Sequence, residues 1–126
     1  MHLKVDWEYP RNAQDGANYV ILLREMRAAL DTYARSTNDN KDRYLLTAAV
    51  PAGEDKYKLL RLNDMSTCLD FFYVMCYDFA GSWDSVAGHQ ANLLGGQFSC
   101  DKSIKYYIDA GVNPRKIVMG IRCMVI

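Results

Sequence analysis

Short apolar runs alternate with longer stretches of helical periodicity along this 126-residue chain. Four runs are candidate strands, at Leu3 to Glu8, Tyr44 to Val50, Phe71 to Tyr77 and Ile117 to Ile121. The middle two are nearly continuous apolar, which is typical of strands that are buried on both faces. Since helical patterns lie between the strands, the sequence predicts an α/β fold with a parallel sheet and outer helices.

The clearest helix lies between the first two strands and is predicted to start at Asp15 or Gly16. Its apolar side chains recur at three- and four-residue steps, which predicts one buried stripe formed by Tyr19, Leu22, Leu23, Met26, Leu30 and Tyr33. Shorter helices are predicted over Asp55 to Met65 and Asp101 to Ala110, the second of which ends at Gly111.

A long segment rich in glycine, serine and asparagine follows the third strand, from Phe79 to Ser99. It shows neither strand alternation nor helical periodicity, so it is predicted to be a loop. Loops of this length within a compact domain usually carry function. We therefore expect this segment to contribute to a site.

The charge balance of the chain argues against two classes of partner. Fifteen basic and fifteen acidic residues cancel, so no net field draws the chain to a phosphate backbone or to an anionic membrane surface. No apolar run approaches the roughly 20 residues that span a bilayer. We expect neither nucleic acid nor a membrane as a partner. The first ten residues lack the features of a secretory signal, so the sequence leaves the localisation open.

The four cysteines do not form a metal-binding pattern. Cys68, Cys76, Cys100 and Cys123 are irregularly spaced, contain no CxxC pair and have only two histidines to complete a ligand set. We therefore expect no metal and no other cofactor. Cys76 lies inside an apolar run and is interpreted as a small buried hydrophobic residue.

The first strand combines a charged face with an apolar face, because side chains alternate along a strand. Lys4, Asp6 and Glu8 share one face, and the apolar face must pack against the outer helices, so the charged face is predicted to point inward. Two carboxylates near the carboxyl end of a strand lie where α/β enzymes place catalytic groups. Because like charges that close repel, one carboxylate is expected to keep its proton, as a general acid requires. An exposed Asp-x-Glu on an edge strand fits the same residues, and the pair alone does not decide between the two interpretations.

Three motifs in order carry a resemblance to a known family. The segment from Val5 to Pro10 resembles the end of the DxxDxDxE signature of glycoside hydrolase family 18 chitinases, which is usually followed by Tyr-Pro. Met75 to Asp78 resembles the MxYD motif at the end of the sixth barrel strand, and the segments Phe79 to Trp83 and Gly88 to Leu93 resemble the loop after it. The resemblance spans Val5 to Ile121 and is nearest in character to fungal chitinases.

The resemblance implies that residues 1–126 form part of a family 18 catalytic domain, about the fourth to seventh strands of a (β/α)8 barrel. It implies a retaining hydrolysis of chitin or chito-oligosaccharides in which the substrate's own N-acetyl group is the nucleophile. By position, Glu8 is implied as the acid that protonates the leaving oxygen, Asp6 as the residue that orients the acetamide, and Tyr77 as its hydrogen-bond donor. The implied substrate contacts are Met75, Asp78, Trp83 and, as a weaker candidate, Tyr9.

The chain departs from the family pattern at both ends. The signature has acids at the positions of Met1 and Lys4, and a lysine beside Asp6 is expected to hold that carboxylate ionised and turned away from Glu8. A non-hydrolytic, chitin-binding chitinase-like protein is therefore an alternative. After Ile121 the family's Pro-Leu-Tyr-Gly-Arg is absent. We expect about half of a barrel, an isolated chain that is inactive, and self-association through two open sheet edges.

Overall fold

A computed structural model of the chain describes residues 1–39 and 42–123. Its sheet has four parallel strands in the order β1-β2-β3-β4, formed by His2–Val5, Leu45–Pro51, Phe71–Met75 and Ile117–Gly120. Each successive strand lies beside the previous one, so every connection is a crossover of the kind that parallel strands require. The predicted α/β fold with a parallel sheet is confirmed.

Four α-helices connect the strands: α1 Ala13–Ser36, α2 Glu54–Tyr57, α3 Leu62–Ser66 and α4 Cys100–Asp109. A short 3-10 helix, Pro114–Lys116, precedes β4. The predicted start of α1 is wrong by a few residues, because the Asn12 side chain caps the helix by accepting from the Asp15 backbone N–H at 2.8 Å. None of the helices in the described ranges is long and apolar enough to cross a bilayer.

The helix predicted over residues 55–65 is instead the two short helices α2 and α3. Between them the backbone tightens, with the N–H groups of Leu59 and Leu60 each bonding to a carbonyl three residues earlier. This link passes directly under α1 at Gly16, where a Cβ would lie 2.1 Å from the Leu59 carbonyl oxygen. Only glycine permits this close approach.

The buried stripe of α1 differs from the predicted one. The predicted Tyr19, Leu23 and Leu30 are buried. Leu22 and Tyr33, however, are 43% and 50% exposed, and the helix also buries Val20 and Arg27. Arg27 is tolerated in the core because its guanidinium donates to the Asp31 carboxylate at 2.6 Å and to the Asp70 carboxylate at 3.2 Å. Asp70 also accepts from the Leu46 backbone N–H at 2.8 Å, which ties α1 to the amino ends of β2 and β3.

Side chains alternate between the two faces of the sheet, so that one face packs against the helices and the other borders the inside, as predicted. The outward side chains of β2 and β3 lie in one core with the helices, and they include Leu46, Ala48, Val50, Phe72 and Val74. Trp7 continues this outer face and packs edge-on against Tyr19, with ring centroids 5.1 Å apart. The inward face of β3 is only half-buried, because it borders an open cleft.

Three strands end earlier than predicted, among them β4, which stops at Gly120 rather than Ile121. The β1 ladder stops at Val5 rather than Glu8, and β3 stops at Met75 rather than Tyr77. At the end of β3 the Cys76 N–H turns back to the Val74 carbonyl at 2.9 Å, which removes it from the ladder. Asp6, Glu8 and Tyr77 therefore lie in the short segments directly after the strands, whereas Met75 is the last residue of β3.

Two buried tyrosines give a matched test of this packing. The Tyr107 hydroxyl donates to the Pro51 carbonyl at 2.7 Å, whereas the Tyr19 hydroxyl has no hydrogen-bond partner within residues 1–39 and 42–123. Tyr107→Phe is expected to lower the free energy of unfolding by about 1 to 2 kcal/mol, because a buried carbonyl loses its donor. Tyr19→Phe is expected to leave it unchanged or raise it by about 1 kcal/mol, because an unsatisfied hydroxyl is removed. Urea denaturation followed by fluorescence measures both, and equal losses would contradict the assignment.

Candidate active site

A cleft of about 800 Å³ opens at the carboxyl ends of the four strands. This volume lies within the range of about 300 to 1,000 Å³ that is typical of small-molecule sites. Every candidate site residue from the sequence lines it: Asp6, Glu8, Tyr9, Met75, Tyr77, Asp78 and Trp83. The structure thus brings together residues from segments that are about 70 positions apart in the chain.

The two carboxylates lie side by side on one wall of the cleft. Asp6 and Glu8 follow β1 directly, and both line the cleft together with Lys4, while the intervening Trp7 points to the helices. The side chains of this segment therefore alternate between the cleft and the helices as predicted, even though the hydrogen-bonded pairing of β1 ends at Val5. The peptide bond that joins Glu8 to Tyr9 is cis.

Two phenols surround the carboxylates. Burial, followed by a hydrogen bond to Glu8 and the nearby carboxylate charges, raises the pKa of Tyr9 to about 12. Burial, followed by the charges of Glu8 and Asp6, also raises the pKa of Tyr77. Since a higher pKa favours the neutral phenol, both hydroxyls remain protonated at neutral pH and can donate hydrogen bonds into the cleft.

Asp78 is held in place by residues that are distant in the chain. Its backbone has a φ of 58°, a left-handed conformation that is uncommon for residues other than glycine. Its carboxylate accepts from the Gln90 amide at 2.5 Å and lies 3.5 Å from the Arg122 guanidinium. Gln90 belongs to the 79–99 loop, so Asp78 connects the strand end to that loop.

The 79–99 loop is ordered by its own contacts and carries Trp83 into the cleft. The Trp83 ring packs closely against Gly81, where a Cβ would come within 2.3 Å of the ring. Trp83 is 68% exposed, so a large apolar face is open to a ligand. At the far end of the loop, the Asn92 amide donates to the Gly95 carbonyl at 2.6 Å, and the rings of Phe79 and Phe98 stack with centroids 6.4 Å apart.

Lysines occupy two positions in the cleft. The Lys4 ammonium lies 5.4 Å from the centroid of the Tyr73 ring, and the Lys56 ammonium lies 5.8 Å from that of Tyr9. These are cation–π distances. In the part of the chain that the structure describes, Lys4 forms no ion pair with Asp6. The lysine nevertheless shares the inward face of the carboxylates, as the sequence predicts.

The family known as Glycosyl hydrolases family 18 has a sequence pattern that matches residues 3–125. The chain belongs to this family. It is 36% identical to Chitinase 1 of Aphanocladium album over 126 residues, an alignment that covers 94% of this chain and 30% of that protein. The resemblance that the motifs suggested is therefore confirmed.

Solved structures of family 18 proteins share the fold. The chain superposes on an immunomodulatory active chitinase from Trichuris suis with a TM-score of 0.86 at 31% identity, covering 94% of this chain and 34% of that one. It superposes on a chitinase-like agglutinin from Robinia pseudoacacia with a TM-score of 0.84 at 31% identity, covering 94% and 36%. The chain thus corresponds to part of a (β/α)8 barrel, as predicted, and spans about a third of the length of these relatives.

Sequence reasoning missed part of the family 18 cleft. Ala49, Pro51 and Tyr73 line it from the inward faces of β2 and β3, and strand parity alone would have placed them there. Lys56 and Phe98 also line it, but they come from loop and helix segments whose fold no local pattern predicts. Across residues 1–39 and 42–123, no group of three or more His, Cys, Asp or Glu side chains is arranged to hold a metal ion.

Proposed function

We propose that the chain is part of the catalytic domain of a chitin-hydrolysing enzyme. It supplies the general acid and the residues that bind the acetamide group of the substrate. The observation that carries this proposal is the convergence of Asp6, Glu8 and Tyr77 in one cleft of a family 18 chain. The relative from Aphanocladium album bears the name chitinase, which supports chitin as the substrate.

In the proposed reaction the substrate provides its own nucleophile. The acetamide carbonyl oxygen attacks the anomeric carbon, the glycosidic bond breaks, and Glu8 transfers its proton to the leaving oxygen. Asp6 orients the acetamide and stabilises the cationic oxazolinium ion that results. Water then attacks the anomeric carbon, the bond from that carbon to the acetamide oxygen breaks, and Glu8 takes a proton from the water. These steps restore the acetamide and the protonated Glu8, and the two inversions retain the configuration.

The remaining cleft residues bind the sugars in this proposal. The Tyr77 hydroxyl donates to the acetamide oxygen, and its raised pKa keeps that proton in place. Met75 and Asp78 line the same subsite, while the exposed face of Trp83 stacks on a neighbouring sugar ring. Tyr9 contributes a second hydroxyl next to Glu8.

The test uses a barrel chimera, in which the aligned part of this chain replaces the matching segment of the Aphanocladium album chitinase. The relative then supplies the rest of the barrel, while the acid, Asp6 and Tyr77 come from this chain. Incubation with a hexamer of N-acetylglucosamine is expected to release shorter oligomers, detected by mass spectrometry. An intact hexamer that the folded chimera binds without cleaving would refute hydrolysis.

That second outcome corresponds to the alternative function, a chitin-binding protein that does not hydrolyse. Lys4 favours it, because this cleft-lining position holds a lysine where the family signature has an acid. Calorimetric titration with the hexamer separates the alternatives, since binding without products is expected only from a binding protein.

A further proposal concerns the 126-residue chain expressed alone. In the described part of the sheet, β1 and β4 each pair with a single neighbour, so both present unpaired backbone groups. We expect the isolated chain to self-associate and to show no chitobioside turnover. Size-exclusion chromatography with light scattering should find dimers or larger species, and a charge on the edge, Met119→Lys, should shift them toward monomer. A wild-type monomer at all concentrations would contradict this.

A further inference from the structure

Two buried cysteines flank the 79–99 loop. Cys76 directly follows β3, and Cys100 is the first residue of α4. They are 2% and 5% exposed and belong to the same core cluster. The Cys100 thiol points at the Cys76 main chain, with its sulfur 3.7 Å from the Cys76 carbonyl oxygen. The two residues therefore meet at the base of the loop.

The other two cysteines have different surroundings. The Cys68 sulfur lies 3.6 Å from the Thr67 hydroxyl, beside the end of α3. Cys123 is exposed and follows β4. Of the four cysteines, Cys76 and Cys100 are the pair that the fold brings into contact at one loop base, through the Cys100 thiol and the Cys76 carbonyl.

We propose that Cys76 and Cys100 form a disulfide under oxidising conditions and so close the loop that carries Trp83 and Gln90. Each thiol loses one proton and one electron as the sulfur–sulfur bond forms. Oxidised glutathione accepts the two electrons and two protons and leaves as two molecules of reduced glutathione. This proposal does not depend on the reaction assigned to the cleft.

The environment of the pair indicates when the bond forms. Burial, followed by the adjacent Cys100 thiol, raises the pKa of Cys76 to about 12. A raised pKa leaves little Cys76 in the thiolate form in the folded chain, and the thiolate is the species that exchanges. The bond is therefore expected to form during folding, before Cys76 is buried, and to resist reduction in the folded chain.

The expected consequence is a more rigid loop. A disulfide that encloses residues 77–99 restricts the unfolded chain, and we expect the melting temperature to rise by about 10 °C over the reduced form. Because the loop is tied at its base, its cleavage by a protease is expected to slow about tenfold.

The test refolds the full 126-residue chain in a glutathione redox buffer, blocks free thiols with iodoacetamide and maps peptides without reduction. We expect a peptide that links Cys76 to Cys100, with Cys68 and Cys123 alkylated. The control variant Cys68→Ala/Cys123→Ala should keep the link and the thermal shift, whereas Cys100→Ala should lose both.

Mapping of the wild-type chain decides the matter even if a variant fails to fold. Alkylation of both Cys76 and Cys100 after oxidative refolding would overturn the proposal. A link from either residue to Cys68 or Cys123 would overturn it equally.

Discussion

Glu8→Gln is expected to lower the turnover number of the barrel chimera on a chromogenic chitobioside by at least about a hundredfold. A positioned general acid contributes about 10² to 10⁴ to the rate, and glutamine preserves the shape of the side chain while removing the proton. Because Glu8 lies at the strand end and lines the cleft beside Asp6, we expect the loss in the turnover number rather than in sugar binding.

The matched control for Glu8 is Asp55→Asn. Asp55 is an exposed carboxylate that lines the same cleft and lies 3.8 Å from the Lys56 ammonium. It tests whether removing any cleft carboxylate slows the reaction, and its effect is expected to stay within about twofold. Equal losses in the two variants, or a Glu8→Gln variant that retains most of its turnover, would contradict the assignment of the acid.

Lys4→Asp is expected to raise the turnover number of the chimera by at least about tenfold. Lys4 lies on the inward face with Asp6, at a position where the family signature has an acid, so the substitution places a carboxyl group on the face that Asp6 shares. A tenfold change in rate corresponds to about 1.4 kcal/mol of activation free energy, which is within the contribution of one hydrogen bond to a charged group. Steady-state kinetics on the same chitobioside measure the change.

Lys56→Asp provides the control for charge alone. Lys56 is the second lysine that lines the cleft, and it lies over the Tyr9 ring rather than on the strand face of Asp6. It makes the same change in net charge, but no gain in turnover is expected. An equal rise in the turnover number of both variants would mean that the overall charge of the cleft causes the effect. No rise in either variant would mean that Lys4 does not impair catalysis. Measuring Glu8→Gln in the Lys4→Asp background keeps the test of the acid valid even if the wild-type chimera is slow.

The fold was largely predictable because its signals are local. The apolar runs at β2 and β3 and the alternation around Asp6 and Glu8 depend on the period of a strand, which the sequence displays directly. The same parity placed Asp6 and Glu8 on the inward face, where the structure has them. Motifs in the correct order then connected these residues to Tyr77 and Trp83.

The errors arise where distant contacts override local pattern. Helix α1 buries Arg27 rather than Leu22, because Asp70, far along the chain, neutralises the guanidinium. Strand β3 ends at Met75 because the Cys76 N–H bonds back to the Val74 carbonyl. Lys56 reaches the cleft because of the path that the segment after β2 takes. Hydrophobic periodicity carries no information about such contacts.

The reliance on the substrate's acetamide is the central claim, and one comparison of substrates tests it. The barrel chimera is assayed with 4-nitrophenyl glycosides of N,N′-diacetylchitobiose and of cellobiose, which lacks the acetamide groups. If Asp6 and Tyr77 orient an acetamide that acts as nucleophile, the first substrate should turn over and the second should be at least about a thousandfold slower. Comparable rates on both substrates would contradict the account, as would the absence of turnover on either.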